Sequence, residues 1–370
     1  MANQFEIINK RKINVAIVGC GRISKNHINA IALHFESSIL VAFCDTSLER
    51  LKEAQRLLNE AYKNQDIKNT PPEEFTDLKE MLLSATSGAI KIDLIVLATP
   101  SGFHSKQVIE IAKAGIHVCT EKPMATTWSD GLNMVAACDK AKVRLFVVKQ
   151  NRFNSTIQLV KKQLLAERFG KLSIVNVNVF WHRPQKYYDQ DNWRGTWELD
   201  GGALMNQASH YVDLLDWLIG PVGSISASIA TIGRNIEVED SAALQLKWKS
   251  GTLGTMAVSM LTYPKNLEGS ITIIGEKGTV RIGGPAVNKI DHWVFSEYHD
   301  DDLLVENANY DISNIYGFGH PAYYANVFKT LQGKEEPVCD GREGLKSLEI
   351  LIAAYRSAKL IKTIYLPLEK

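Results

Sequence analysis

Between residues 13 and 150, short continuously apolar runs rich in β-branched residues alternate with stretches of helical period, and few architectures accommodate that rhythm. The runs at 13–18, 39–44, 93–98, 117–119 and 143–149 suit strands buried on both faces, as in a parallel sheet. The intervening segments are long enough for crossover helices. Residues 47–62 place Leu48, Leu51, Ala54, Leu57 and Leu58 at helical spacing, and 103–114 and 129–140 behave likewise. A doubly wound α/β sheet of Rossmann type is predicted for this half.

Beyond residue 155 the pattern changes to a helix reaching Arg168 and then longer alternating runs at 172–181, 222–232, 242–249, 253–260 and 271–274. Lys249-Ser250-Gly251 and Gly275-Glu276-Lys277-Gly278 are turn-rich joins of the antiparallel kind. The second half is predicted as an α+β domain: an open, mostly antiparallel sheet with one embedded helix at 203–219 and closing helices near 322–331 and 344–362. A chain of 370 residues exceeds what one core supports, so the division expected is 1–150 and 151–370, with the C-terminal helix placed to pack back on the first domain. The second domain would bind substrate and make subunit contacts. An open sheet with one uncovered face seeks a partner, which predicts a homo-oligomer, dimer or tetramer.

With 42 Lys+Arg against 41 Asp+Glu, the net charge of +1 excludes nucleic-acid or membrane binding by bulk electrostatics. Any anion site must be local. Five cysteines without a CxxC spacing argue against a disulfide framework or a zinc site, and no metal is expected. With neither a leader pattern in 1–12 nor an apolar run of membrane-spanning length, a cytoplasmic location is expected.

Gly19-Cys20-Gly21-Arg22-Ile23-Ser24 follows the first predicted strand and opens a helix. The first glycine permits a tight turn, the second lets backbone approach a pyrophosphate, and the helix N-terminus offers N–H groups to that anion. Asp45 ends the second strand, where a carboxylate can accept hydrogen bonds from both adenosine ribose hydroxyls. Its charge repels a 2′-phosphate, so NAD is the expected cofactor rather than NADP. A tight turn followed by a helix-capping Asp is the simpler alternative.

Glu121-Lys122-Pro123 follows another strand at the carboxyl edge of the sheet, where ligands of such folds sit. From the residues alone Lys122 reads first as an exposed loop lysine and only second as a catalyst. Asn206 and His210 stand four apart on the predicted helix, with Asp213 three further, and His210 reads either as a base or as a buried histidine satisfied near Asp213.

Gly19-Cys20-Gly21-Arg22-Ile23, Ala98-Thr99-Pro100, Glu121-Lys122-Pro123, and Gly201-Gly202-Ala203 followed by His210 and Asp213 resemble the Gfo/Idh/MocA oxidoreductase family across almost the whole chain. The resemblance implies that Lys122 and His210 flank the reacting carbon and the nicotinamide. It also implies that Gly19, Gly21, Arg22, Ile23, Asp45, Thr99, Pro100, Ser101, His104, Glu121 and Lys122 hold the cofactor, with Phe103 beside them. Asn206 stands where many relatives carry Asp, so the family's relay through that residue does not transfer.

The tracts Lys149-Gln150-Asn151-Arg152, 188–197, 205–211 and 260–270 resemble one branch of the family, which oxidises C3 of UDP-N-acetylglucosaminuronate on the way to bacterial surface polysaccharide. A UDP-sugar substrate and a functional link to a pyridoxal-phosphate aminotransferase are thereby implied, with Lys122, Gln150, Arg152, Arg194, Asn206 and His210 touching the substrate. The residues agree in one respect: Arg152, Arg183, Lys186 and Arg194, with Trp181, Tyr187, Tyr188, Trp193 and Trp197, concentrate cations and flat rings. A diphosphate needs the former and a uracil stacks on the latter, although such residues also line strands and subunit contacts. His210, with a reference pKa of about 6.5, needs less tuning to act as base than Lys122 at about 10.4. The roles assigned are therefore His210 as base and Lys122 as stabiliser of the developing alkoxide, with the reverse assignment as the alternative. Competing functions are dehydrogenation of another sugar or a cyclitol, and a non-catalytic NAD-binding regulator.

Overall fold

The computed structural model describes residues 5–68, 70–311 and 318–369; residues 1–4 of the segment read for a leader lie outside these. The chain forms two compact units. One comprises Met1–Ala125, Ser129–Val148 and His320–Leu345, the other Thr126–Trp128, Lys149–Gly319 and Lys346–Lys370.

The first unit is built on β1 (Ile13–Val18), β2 (Ser38–Cys44), β3 (Glu73–Phe75), β4 (Leu94–Leu97), β5 (His117–Thr120) and β6 (Leu145–Val147). They form one parallel sheet in the order β3-β2-β1-β4-β5-β6. Crossovers are α1 (Ser24–Ala32), α2 (Leu48–Lys63), α3 (Leu78–Thr86), α4 (His104–Lys113) and α5 (Trp128–Ala141). The strand order reverses direction between β1 and β4, and their carboxyl ends open the crevice where ligands of such sheets bind. In α2, Leu51, Ala54, Leu57 and Leu58 are buried, whereas Leu48 at the first helical position is 62% exposed and leaves the stripe. β3 escaped the sequence reading because Glu73-Glu74-Phe75 has no apolar run; it is a short, charged edge strand of the kind that resists further pairing.

The second unit contains α6 (Ser155–Leu165), β7 (Leu172–Phe180), α7 (Gln185–Tyr188), α8 (Ser209–Ile219), β8 (Val222–Ala230), β9 (Ser241–Trp248), β10 (Leu253–Ser259), β11 (Glu268–Gly275), β12 (Gly278–Gly283), β13 (Lys289–Phe295) and α9 (Val305–Ala308). The chain then passes through α10 (Gly319–Leu331) and α11 (Gly341–Leu360) to β14 (Ile364–Tyr365). The eight strands run β13-β12-β11-β7-β10-β9-β8-β14, antiparallel except for β7 against β10. Alternation is clean in β9, where Ala242, Leu244, Leu246 and Trp248 are buried while Ala243, Gln245 and Lys247 are exposed on the opposite face. Among the described residues, no helix is long and apolar enough to cross a membrane.

The embedded helix is not continuous from 203 to 219. Ala203–Gln207 forms a wide π-type turn ahead of α8, with the Ala208 N–H bonded to the Ala203 carbonyl. The cause is Glu239, whose backbone carbonyl accepts from Ala203 and whose Oε1 accepts from Leu204 N–H at 2.9 Å. Gly202 is obligatory here because a Cβ on it would lie 1.7 Å from Glu239 Oε2. Asn206 therefore sits in the wide turn and His210 in α8, not on one regular helix. Leu204, Ala208, Tyr211, Leu215 and Leu218 are all buried, as their spacing predicts.

Candidate active site

In the first unit, β1 ends at Gly19, whose φ of +90° favours glycine and where a Cβ would meet the Ala98 carbonyl at 2.7 Å. At Gly21 an added Cβ would find nothing within 4 Å, so bare backbone faces open space just ahead of α1. No side chain caps that helix. Ser24 stands third in the motif, buried, with its Oγ donating to the Gly21 carbonyl at 2.6 Å. Arg22 is exposed and Ile23 half-buried. An open glycine cradle before an uncapped helix fits the pyrophosphate of a dinucleotide.

Asp45 is buried and accepts from Cys20 N–H at 2.8 Å and Ser47 N–H at 2.9 Å, one on each carboxylate oxygen. It thus locks the glycine turn to the β2 end while keeping lone pairs for further donors. At the end of β4, Thr99 Oγ1 donates to Gln107 Oε1 at 2.6 Å. His104 is fully buried, and its two ring nitrogens lie 3.0 Å from the carbonyls of Thr99 and Pro123. Burial pushes its pKa down. Its ring therefore lies behind the Thr99–Ser101 loop and ties that loop to the Glu121-Lys122-Pro123 segment. Pro100 is partly exposed and Ser101 buried.

Glu121 is buried too. Its Oε2 accepts the Lys122 backbone N–H at 3.0 Å, and its Oε1 lies 3.0 Å from His27 Nε2. Burial alone would raise its pKa, but the His27 contact and the Lys122 charge outweigh that and hold the carboxyl down at about 2. Lys122 is half-buried.

In the second unit, Gln150 Nε2 lies 3.0 Å from His210 Nε2. The amide donates, so this ring nitrogen carries the lone pair that a base needs. Asp213 does not bond to His210. Its two oxygens take Arg152 Nε and Nη2 at 2.7 Å each, with Lys149 Nζ at 3.6 Å. Burial opposes the Asp213 charge, yet Arg152 and Lys149 hold its carboxyl below the usual range. Arg152, read from sequence as a cation for substrate, has its guanidinium fully inside and committed to Asp213.

Asn206 Nδ2 donates to Asp200 Oδ1, and Asp200 Oδ2 accepts from Gly195 N–H at 2.7 Å. Arg194 bonds Asp191 at 2.9 Å and the Tyr187 hydroxyl at 2.8 Å, with its guanidinium 4.6 Å and 4.5 Å from the Tyr187 and Trp193 ring centres. Gln207 bridges Tyr187 to Arg183 at 3.0 Å and 2.9 Å. Cations and rings therefore form one braced rack spanning 181–207. Sequence reasoning missed Lys149, His27, Asp200 and Glu239. Their partners lie elsewhere in the chain or, for Asp200, depend on how the Gly201-Gly202 segment folds, so no local spacing marked them.

Two family models cover the chain: an oxidoreductase family, NAD-binding Rossmann fold, over residues 13–149, and an oxidoreductase family, C-terminal alpha/beta domain, over 161–366. The chain is similar to the WlbA dehydrogenase of Bordetella pertussis, solved in complex with NADH and UDP-GlcNAcA, at 56% identity and a TM-score of 0.91, covering 98% of this chain and 100% of that one. The Chromobacterium violaceum WlbA dehydrogenase, solved with the same two molecules, is 54% identical with a TM-score of 0.89 over 99% of each chain. A D-apiose dehydrogenase from Paraburkholderia graminis is 25% identical over 96% of this chain and 90% of its own length. With both of its halves matched and the glycine turn, Glu-Lys-Pro segment and Gly-Gly helix start in place, the chain belongs to the Gfo/Idh/MocA oxidoreductase family.

Proposed function

We propose that this protein oxidises the C3 hydroxyl of UDP-N-acetylglucosaminuronate to the 3-oxo sugar, with NAD as the electron acceptor. The observation that carries this is the 56% identity, over essentially the whole chain, to a dehydrogenase solved with NADH and UDP-GlcNAcA. Bound NAD supplies a nicotinamide that accepts the C3 hydrogen with its electron pair.

The chain's own residues do the rest. The Gly19–Ile23 turn receives the pyrophosphate, and Asp45 uses its remaining lone pairs for the ribose diol. Thr99, Pro100 and Ser101 line the cofactor loop, which His104 supports from behind. His210 takes the hydroxyl proton on Nε2, exchanging the Gln150 amide for the substrate O–H. Lys122 donates a hydrogen bond to the same oxygen and stabilises the alkoxide as it develops. Arg194 and Arg183, with Tyr187 and Trp193, present charge and ring faces to the nucleotide diphosphate and base, and Asn206 and Gln150 contribute amides to the sugar. Binding through such remote groups holds the carbinol in line for reaction.

The 3-oxo product is a ketone suited to a pyridoxal-phosphate aminotransferase, and the family resemblance supports a role in surface polysaccharide synthesis in the cytoplasm. The exposed face of β7–β10 serves homo-oligomer formation as a dimer or tetramer. The test is turnover of the UDP-uronate carrying deuterium at C3, followed by NADH absorbance and mass spectrometry. Label in NADH is expected, and Lys122→Met and His210→Asn should each lose turnover by about a hundredfold or more while still binding NAD. Turnover without label transfer, or preference for a sugar lacking UDP, overturns the assignment.

A further inference from the structure

Directly behind Lys122 lies a buried polar cluster that the reaction above does not use. His27 of α1 is enclosed completely, with Nδ1 2.7 Å from the Tyr324 hydroxyl of α10 and Nε2 3.0 Å from Glu121 Oε1, a close but off-axis contact. A carboxylate only accepts, so the ring proton belongs on Nε2 and Tyr324 donates to Nδ1. His320, also on α10, packs edge-on to His27 at 5.6 Å between ring centres. Burial drops its pKa to about 3, so this ring is neutral. The other titratable groups facing this pocket are Cys119 of β5, 3.2 Å from the Tyr323 hydroxyl, and His104 of α4. Glu121, His27 and His320 place ligand-type atoms within 4.8 Å of one another; His27 Nε2 is in ion-pair range of Glu121 Oε1 without an aligned hydrogen bond, and Glu121 Oε2 accepts from the Lys122 backbone.

We propose that His27 and Glu121 are positioning residues for Lys122: Glu121 fixes the lysine's backbone through Oε2 and sets a permanent anion beside its ammonium, while His27, anchored by Tyr324, holds that carboxylate in place. An anion buried at the neighbouring residue favours the charged form of the lysine, which is the form that donates to an alkoxide. The cost of burying a carboxylate is understandable if the charge is needed there. This inference rests on the reading of Lys122 given above.

The experiment is kcat against pH, with NAD affinity measured in parallel, for the wild type, Glu121→Gln, His27→Asn and Lys122→Met. Glu121→Gln keeps an acceptor for the Lys122 N–H but removes the charge. It should lower kcat by about tenfold and move the alkaline limb of the profile down by about one pH unit, at unchanged NAD affinity. His27→Asn should lower kcat several-fold and leave the alkaline limb in place. Should Glu121→Gln not fold, competitive labelling of amines in the wild-type protein carries the test: Lys122 should stay unreactive to higher pH than the exposed lysines, and equal reactivity overturns the proposal. An alkaline limb unmoved in Glu121→Gln also overturns it, because a merely structural role would change yield or stability and not the limb. Lys122→Met with wild-type kcat would instead sink the role of Lys122 itself, whatever the other variants do.

Discussion

Replacing Arg152 by Met should unfold the second unit more readily rather than weaken substrate binding selectively. Arg152 is 1% exposed and Asp213 2%, and both guanidinium contacts are 2.7 Å. A second cation near Asp213 is Lys149 Nζ, at 3.6 Å and itself bonded to Ser347 Oγ at 2.6 Å. Removing the guanidinium leaves a buried carboxylate facing one ammonium beyond good hydrogen-bond distance. Breaking a buried pair costs about 3–5 kcal/mol, and the remaining ammonium argues for the lower end, about 3 kcal/mol, or about a hundredfold in the folding equilibrium. Arg152→Lys keeps the charge but not the two-pronged geometry and should lose about 1–2 kcal/mol. Urea unfolding followed by tryptophan emission is a suitable assay, because the Trp217 ring centre lies 5.5 Å from this guanidinium. The Asp213 carboxyl is depressed in the folded state, so the pair's contribution is present above the ordinary carboxylate pKa and lost as pH falls through the lower, folded value. The gap between wild type and Arg152→Met should therefore persist at neutral pH and close only in acid. An unchanged urea midpoint with a KM for the UDP-sugar raised tenfold or more would refute this reasoning and return Arg152 to the substrate.

Two further outcomes follow from the buried carboxylates. Asp45→Ala should narrow the preference for NAD over NADP, and because Asp45 also holds Cys20 and Ser47, it should cost the fold about 1–2 kcal/mol; equal calorimetric affinity of the wild type for both cofactors would remove the argument from its charge. Glu239 is driven by burial to a pKa of about 7, only partly offset by Leu204 N–H and the Tyr355 hydroxyl, so its contribution to stability is full below the ordinary carboxylate value near 4.5 and declines as pH rises through about 7. Glu239→Gln should flatten that decline in thermal unfolding measured between pH 5 and pH 8, and a decline identical to the wild type would mean another group is responsible.

How far the sequence could be read depended on whether a residue's partner was local. Strands β1, β2, β4 and β5 were legible because burial on both faces writes an apolar run into the chain, and the glycine turn because backbone φ and close approach act on consecutive residues. β12 and β13 were not, since Gly278–Gly283 begins and ends in glycine and Lys289–Phe295 mixes charge with aromatics at a sheet edge. The π-type turn at Ala203–Gln207 was invisible for a different reason: its cause is a carboxylate some 35 residues downstream.

The same distinction governs the candidate site. The segment from Arg152 to Arg194 reads as a diphosphate site because it is rich in cations, yet Arg152 spends both prongs on Asp213, 61 residues away, whereas Arg194 gives Asp191 only its Nε. A cation is available to a ligand only after the carboxylates in reach have been counted, and a count along the chain finds Asp191 but not Asp213. The converse holds for Glu121. As part of a Glu-Lys-Pro segment it looks like a cofactor contact, while its carboxylate points inward to His27, a residue whose other partner, Tyr324, is 297 positions away. On the proposed reading the motif marks Lys122, while the groups that position it come from α1 and α10, which only the fold brings together.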